Sequence, residues 1–190
     1  MVLLYTNEQI EYVIFSKTGM VIIMQYPKRK LIRLKNYNYS TEGAYFVTIC
    51  TKERQDMILS NIVVGRDDPG TPSCNIQLTP TGNIVKKYID SITENYKNVI
   101  VDQYIIMPDH IHMLIKICGV PRSSRPTDIS TVIGALKRLA NKEIGHNIFQ
   151  TSFYDHVIRD ETDYITKWNY IENNPVKWVE QKKVTTNDKL

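Results

Sequence analysis

Two β-rich runs separated by only two residues place the strongest constraint on how this chain can fold. Residues 99–107 read VIVDQYIIM and residues 110–117 read HIHMLIKI, and both runs are dense in β-branched and other apolar side chains. The Pro108-Asp109 pair between them suits a tight antiparallel connection, because proline fixes its own φ and aspartate favours turns. The sequence therefore predicts a central antiparallel hairpin.

The segments on either side of this hairpin alternate between strand and helix patterns. A strand pattern begins at Ala44 with AYFVTICT, and another lies in FYDHVIRD. Between them the order is strand, helix, hairpin, helix, strand, and a third helix follows, so the complete order is βαββαβα. This order predicts an α+β, ferredoxin-like sandwich whose helices cover one face of a central antiparallel sheet and leave the other face available.

The predicted helices have recognisable ends. Thr79, Thr81 or Asn83 can cap the first helix, whose apolar residues recur at three- and four-residue spacing. The second helix is expected from about Asp128 to Gly145.

The third helix is expected to start near Asp160 and to stop at Pro175. Residues 65–73 are rich in Gly, Pro, Asp and Ser, and they are expected to form a flexible loop insert.

Composition excludes several classes of protein. A chain of 190 residues with 42% hydrophobic and 23% charged residues is globular rather than disordered. The net charge of +4 mildly favours a polyanionic partner without identifying one. Cys50, Cys74 and Cys118 are odd in number and widely separated, which argues against a disulfide framework and favours a reducing cytoplasm.

The first residues differ in character from the rest. Residues 1–25 have no basic leader, and polar residues interrupt their apolar ones well short of a membrane span, so neither secretion nor a membrane partner is expected. We expect residues 1–25 to be an extension, either an extra hairpin or the product of an upstream start codon. A domain over residues 26–180 and a tail over residues 181–190 follow.

The His-x-His pair in the second run is the sharpest chemical signal. Side chains two apart on a strand share a face at a separation of about 7 Å, so His110 and His112 point the same way. Two imidazoles on one face can converge on a divalent metal, while Ile111 and Met113 face the core. Such pairs also arise by chance, and by spacing alone an ordinary structural role stays open.

The third helix supplies a second candidate pair. Tyr170 and Asn174 stand four residues apart, so a phenol and an amide oxygen would lie on one helix face. A tyrosine with a pKa of about 10 is a poor nucleophile until a metal polarises the phosphate that it attacks. Two histidines and an amide oxygen suit Mg²⁺ or Mn²⁺. Tyr164 is a rival on the same helix, and Pro175 disfavours helical geometry at Asn174.

Three segments resemble a known family. AYFVTICTKER, QYIIMPDHIHMLIKI and FYDHVIRDETDYITKWNYIENNPVKW are similar, in the same order from about Leu31 to Trp178, to the HUH-type single-tyrosine transposases, and in particular to the REP-associated tyrosine transposases. The resemblance implies that His110 and His112 are the metal ligands of an HUH motif on a central strand. It also implies that Tyr170 is the nucleophile and that Asn174 is the third ligand.

The resemblance implies a reaction and a partner as well. A protein of this family is a metal-dependent endonuclease and strand transferase that cuts single-stranded DNA beside a hairpin. The tyrosine is left in a 5′-phosphotyrosine link, and a free 3′-hydroxyl is released. Related insertion-sequence enzymes are homodimers that exchange the tyrosine helix. Members of the REP-associated group are instead monomers in which the tyrosine comes from the same chain. The closer resemblance to that group favours a monomer over a homodimer here.

Basic residues are candidates for DNA contact, because lysine and arginine follow phosphates with salt-dependent affinity. They lie ahead of the first strand and in the loop after the histidine strand: Lys28, Arg29, Lys30, Arg33, Lys35, Arg122 and Arg125. For each residue alone, an ordinary solvated surface is the competing interpretation. His156 and Asp109 receive no functional role, because hydrogen bonding within the fold explains the first and a turn explains the second.

Two other functions stay open. A ferredoxin-like sheet with exposed aromatic side chains also suits a non-catalytic, domesticated nucleic-acid-binding protein. A metal-dependent hydrolase that activates water would need His110 and His112 and would be indifferent to Tyr170.

Overall fold

The chain forms two compact units, Met1–Lys35 and Asn36–Leu190, in a computed structural model that describes residues 2–6, 9–15, 21–26, 37–52, 57–68, 71–119 and 127–187. The first unit holds a three-stranded antiparallel sheet of β1 (Val2–Thr6), β2 (Gln9–Phe15) and β3 (Val21–Tyr26), in that order. The boundaries expected from the sequence, at residues 25/26 and 180/181, stay predictions. No helix in the described ranges is both long and apolar enough to cross a membrane.

The second unit is built on a four-stranded antiparallel sheet with the order β7-β8-β4-β9. Its elements are β4 (Gly43–Cys50), β5 (Ser60–Asp68), β6 (Thr71–Leu78), α1 (Pro80–Asn95), β7 (Val99–Ile106), β8 (His110–Ile117), α2 (Ile129–Ile144), β9 (Tyr154–Val157) and α3 (Glu161–Asn187). The hairpin β7-β8 turns at Pro108-Asp109, and all neighbouring strands run antiparallel. The predicted ferredoxin-like α+β fold is confirmed.

The main core lies between one face of the sheet and helices α1 and α2. Alternate residues of β4 and β8, such as Ile49, Ile111 and Met113, are fully buried there against Val85 and Ile133 of the two helices. Because side chains alternate along a strand, the intervening residues of β4 and β8 point to the opposite face. This alternation leaves the histidines of β8 outside the main core.

The opposite face is covered by α3. Phe46 of β4, Leu114 of β8 and Ile171 of α3 form a second buried cluster. The expectation that this face stays available is therefore wrong over the part that α3 covers. The physical reason is that Phe46 and Leu114 would otherwise expose a large apolar area to water.

Most helix ends lie where the sequence predicts them. Thr79 is the N-cap of α1, and its hydroxyl oxygen accepts a hydrogen bond from the Gly82 N–H at 3.0 Å. Asp128 caps α2 in the same way. Gly145 ends α2 in the left-handed conformation with φ 91°, which glycine adopts without steric cost.

The segment expected to be a loop insert forms a hairpin instead. Strands β5 and β6 pair from Ser60 opposite Leu78 to Asp68 opposite Thr71, so most of residues 65–73 is strand. The expectation failed because Gly65, Asp68 and Pro72 are accommodated within the paired strands, where apolar residues such as Ile62 and Ile76 extend the ladder. Residues 69–70 lie outside the described ranges.

Helix α3 also differs from its expected length. It runs through Pro175 to Asn187, whereas Pro175 was expected to stop it. A proline removes one helical hydrogen bond and crowds the carbonyl four residues earlier, here that of Ile171. Ile171, Asn174 and Pro175 are all buried, so packing against the sheet offsets the local penalty.

Gly82 offers a test of how closely α1 approaches the start of β5. A β-carbon at Gly82 would lie 1.9 Å from the backbone oxygen of Leu59, a contact that no side-chain movement relieves. We expect Gly82→Ala to lower the free energy of unfolding by about 2 kcal/mol or more, as overpacking does. Chemical denaturation monitored by circular dichroism measures this loss.

Gly134→Ala is the matched control, because a β-carbon there meets nothing within 4 Å in the interior of α2. This variant is expected to be stabilised by about 0.5 to 1 kcal/mol through the higher helix propensity of alanine. Equal stabilities for the two variants would contradict the close approach.

Candidate active site

The two histidines of β8 lie side by side on the sheet face that α3 covers. The ring centroids of His110 and His112 are 4.6 Å apart, and the rings meet edge to face at 69°. On the neighbouring strand their partners are Cys50 and Thr48. Since β8 pairs with β7 on one side and with β4 on the other, the backbone that carries both histidines is held on two sides.

Each imidazole is oriented by a hydrogen bond to its Nδ1 atom. Nδ1 of His112 lies 2.9 Å from the hydroxyl oxygen of Thr48, and Nδ1 of His110 lies 2.5 Å from a carboxylate oxygen of Asp109. When Nδ1–H donates in both bonds, each Nε2 atom keeps a lone pair for a metal. Such outer partners are characteristic of metal-binding histidines.

Asp109 is a site residue that sequence reasoning missed. It was assigned to the turn, and it does lie in the turn, but its buried carboxylate also holds the His110 ring. The available signal was an aspartate directly before the first histidine of the strand. Thr48 was also missed, and its role follows only from the pairing of β4 with β8.

Burial keeps His112 neutral. Its side chain is 5% exposed, and the ring of Phe46 stacks on it with centroids 5.1 Å apart. Burial, together with the smaller effect of the neighbouring His110, lowers the pKa of His112 to about 3. Its Nε2 atom is buried and has no hydrogen-bond partner among the described residues.

Helix α3 brings the predicted nucleophile to the same place. The Tyr170 ring lies edge-on to His112 with centroids 5.2 Å apart, and the Trp178 ring lies 5.6 Å from His110. Asn174 stands one helical turn from each of these aromatic residues, and it is 7% exposed. The face that carries Tyr170, Asn174 and Trp178 therefore runs across both imidazoles.

Tyr170 and Tyr164 have different surroundings. Tyr170 is 39% exposed beside the histidines. The Tyr164 hydroxyl donates to Asp102 at 2.7 Å, and the same carboxylate accepts from Lys116 at 2.8 Å. Burial, followed by this hydrogen bond, raises the pKa of Tyr164 above its ordinary value. The structure therefore favours Tyr170 over its rival as a nucleophile.

His156 lies on β9, and its Nε2 atom is 2.8 Å from the Asp163 carboxylate in the first turn of α3. This contact ties β9 to α3, which agrees with the structural interpretation of His156.

Two lysines that the sequence did not single out lie beside the aromatic rings. The ammonium nitrogen of Lys177 is 5.5 Å from the Tyr170 ring centroid, and that of Lys167 is 5.5 Å from the Phe46 ring centroid. Lys177 follows Tyr170 by seven residues, or two helical turns, and this spacing was the available signal.

The donor set fits a divalent cation. It consists of two imidazole Nε2 atoms and the amide oxygen of Asn174, and the unpartnered Nε2 atom of His112 is buried ready for a ligand. Within the ranges that the structure describes, no group of three or more His, Cys, Asp or Glu side chains is arranged to hold a metal. A site here therefore depends on the amide as its third ligand.

The predicted DNA contacts cannot be placed in this geometry. They lie outside the described residues: Lys28, Arg29, Lys30, Arg33, Lys35, Arg122 and Arg125.

The neutral state of His112 predicts a pH dependence of stability. Its pKa is about 3 in the folded protein, compared with an ordinary value of 6.5 for histidine in the unfolded chain. Between pH 3 and pH 6.5 the unfolded chain therefore binds a proton that the folded protein does not bind. The contribution is fully present above pH 6.5 and is lost as pH falls toward 3, with a slope of about 1.4 kcal/mol per pH unit. Urea denaturation of metal-free protein between pH 7 and pH 5 measures this slope.

We expect the slope to be shallower in His112→Gln, while a matched change at the exposed His146, His146→Gln, retains it. An NMR titration that finds the His112 ring protonated in the folded protein at pH 5 would show this assignment to be wrong.

Comparison with known proteins places the chain among its relatives. No protein-family model matches it. An uncharacterized protein of Haemophilus influenzae (strain Rd) is 34% identical over 172 aligned residues, and the match covers 79% of this chain and 89% of that protein.

A solved structure shares the fold, and a second one resembles the chain more weakly. A REP-associated tyrosine transposase bound to a REP hairpin is 21% identical with a TM-score of 0.56, covering 76% of this chain and 74% of that one. A candidate transposase of Deinococcus radiodurans R1 is 17% identical with a TM-score of 0.42, covering 74% and 95%. The chain thus belongs to one family with the Haemophilus influenzae protein, and it has the fold of the REP-associated tyrosine transposases.

Proposed function

We propose that this protein is a metal-dependent endonuclease and strand transferase that acts on single-stranded DNA beside a hairpin, with Tyr170 as its nucleophile. One observation carries the proposal: the exposed Tyr170 ring packs against His112, whose buried Nε2 atom has no partner among the described residues. A phenol beside a metal-ready imidazole is the arrangement that tyrosine attack on a phosphodiester needs.

The residues proposed to hold the metal are His110, His112 and Asn174. Mixed nitrogen and oxygen ligands suit Mg²⁺ or Mn²⁺, and such an ion supplies charge that polarises the scissile phosphate. Asp109 and Thr48 orient the two imidazoles. The low pKa of His112 keeps its lone pair available at neutral pH.

The chain's own residues account for the chemical step. Tyr170 loses its phenolic proton, and its oxygen forms a bond to phosphorus while the bond from phosphorus to the 3′-oxygen breaks. The leaving 3′-oxygen takes up a proton to become a hydroxyl, and the 5′-phosphate stays on the tyrosine. Attack by a 3′-hydroxyl reverses these changes, so rejoining needs no ATP. Lys177, beside the Tyr170 ring, is placed to attract the phosphate.

The proposed partner is hairpin DNA, and the proposed assembly is a monomer. The solved transposase with this fold is bound to a REP hairpin, which supports hairpin DNA as the substrate class. Tyr170 already lies against the histidines of its own chain. A monomer therefore suffices for the proposed chemistry.

The covalent intermediate provides the main test. With Mn²⁺ or Mg²⁺ and a DNA hairpin carrying a single-stranded flank, we expect an adduct that survives denaturing electrophoresis. Tyr170→Phe removes the nucleophilic oxygen, so adduct formation should fall by at least about 10³-fold. A 5′-labelled and a 3′-labelled substrate, run in parallel, identify which end is attached.

Tyr164→Phe is the matched control, because it removes a hydroxyl from the same helix that is bound to Asp102 rather than facing the histidines. It should retain the adduct. An adduct that persists in Tyr170→Phe would rule out the nucleophile assignment, and cleavage without any adduct would favour the hydrolase.

The orientation of His110 by Asp109 provides a test that does not depend on cleavage. Asp109→Asn replaces the charged acceptor of the Nδ1–H bond by a weaker, neutral amide oxygen, and mutation of such a partner lowers metal affinity about 10- to 100-fold. Titration of the protein with Mn²⁺, monitored by electron paramagnetic resonance, measures the change. Asp102→Asn, which alters a carboxylate held by Tyr164 and Lys116, is the control. Unchanged Mn²⁺ affinity in Asp109→Asn would exclude the proposed role of Asp109.

A further inference from the structure

A second cationic site lies at the C-terminal half of α2. A cleft of about 600 Å³ opens there between the helix and the loop that leads to β9. Its lining includes the cationic side chains of Lys137, Arg138 and Lys142, together with the polar side chains of His146, Asn147 and Thr151. Among the described residues that line this cleft, none is Asp or Glu.

Lys137 shapes the cleft rather than offering a free charge. Its ammonium group donates to the backbone oxygens of Gln150 at 2.9 Å, Thr151 at 3.3 Å and Ser152 at 2.9 Å. These three bonds use all of its N–H groups, so Lys137 fixes the loop against α2. Burial lowers the pKa of Lys137 to about 8, which leaves the group mostly protonated at neutral pH.

Arg138 and Lys142 are the charges that remain. Both are exposed, and neither has a carboxylate partner within the part of the chain that the structure describes. They stand one helical turn apart, where like charges repel and destabilise a helix. The lysines of α1 behave differently, since Lys86 pairs with Asp90 and Lys87 pairs with Glu143. Lys142 lies in the last turn of α2, where the helix dipole favours a cation, whereas Arg138 lies before that turn.

The cleft is connected to the candidate active site through the end of β4. The Gln150 N–H donates to the Cys50 carbonyl at 3.0 Å, and Cys50 pairs with His110 across the sheet. Gln150 and His110 thus flank the same residue from opposite sides, roughly 10 Å apart by the spacing of paired strands. Because α2 and α3 lie on opposite faces of the sheet, a DNA strand that contacts both the cleft and the active site must pass around this end of β4.

We propose that the α2 cleft binds the phosphodiester backbone of the DNA strand that enters the active site. Arg138 and Lys142 are the phosphate contacts, and Lys137 holds the loop that completes the cleft. Arginine and lysine are the side chains that bind phosphate most strongly, and a carboxylate-free cleft adds no repulsion. This inference rests on the proposed function, because it takes DNA as the ligand.

The test compares two double variants with equal loss of charge. Arg138→Ala with Lys142→Ala removes the proposed contacts, whereas Lys86→Ala with Lys97→Ala removes two exposed lysines elsewhere. Fluorescence anisotropy measures the Kd of a labelled hairpin with a single-stranded flank between 50 and 200 mM salt. The cleft variant is expected to bind about tenfold more weakly, and its salt slope should fall by about 1.4 to 1.8 for two lost phosphate contacts. The control should match the unmodified protein.

Several outcomes would overturn the inference. One is a cleft variant whose Kd and salt slope equal those of the unmodified protein, and another is a control variant that loses as much affinity as the cleft variant. Covalent adduct formation by the unmodified protein, assayed in parallel, separates this inference from the proposed function. If the cleft variant loses affinity but the unmodified protein forms no adduct, the cleft inference is supported and the tyrosine mechanism is overturned. If the unmodified protein forms the adduct but the cleft variant keeps its affinity, the tyrosine mechanism is supported and the cleft inference is overturned.

Discussion

The packing of α3 on the β4-β8 face is the interaction on which the candidate site depends. Ile171 is buried against Phe46 and Leu114, and this apolar contact determines which side of the helix faces the sheet. Tyr170 directly precedes Ile171, so a rotation by one residue, about 100° around the helix axis, would turn the phenol away from His112. This apolar contact, together with the polar contacts of Asp163 and Tyr164 to the sheet, therefore orients the proposed nucleophile.

The same packing determines the electrostatics of the site. Phe46 and Tyr170 enclose His112, and the exclusion of water keeps this imidazole neutral. The ammonium group of Lys167 lies over the Phe46 ring, and that of Lys177 lies over the Tyr170 ring. A neutral His112 with cations close by suits the proposed site, which would hold a metal and attract a polyanion.

Local patterns predicted a large part of this arrangement. The strand period placed His110 and His112 on one face, and the Pro108-Asp109 turn and the caps at Asp128 and Gly145 follow from the conformational preferences of single residues. Contacts between distant residues were not predictable in this way. Thr48 meets His112 across 64 positions, and helix α3 continues through Pro175 because tertiary packing outweighs the local preference.

The turn at Asp109 links the backbone of the sheet to the orientation of the His110 ring. Its backbone oxygen accepts from both the N–H and the hydroxyl of Thr51, each at 2.9 Å, while its carboxylate holds His110. A change at Thr51 would thus be transmitted to an imidazole that it does not itself bond. During evolution the residues at positions 51 and 109 are therefore expected to covary.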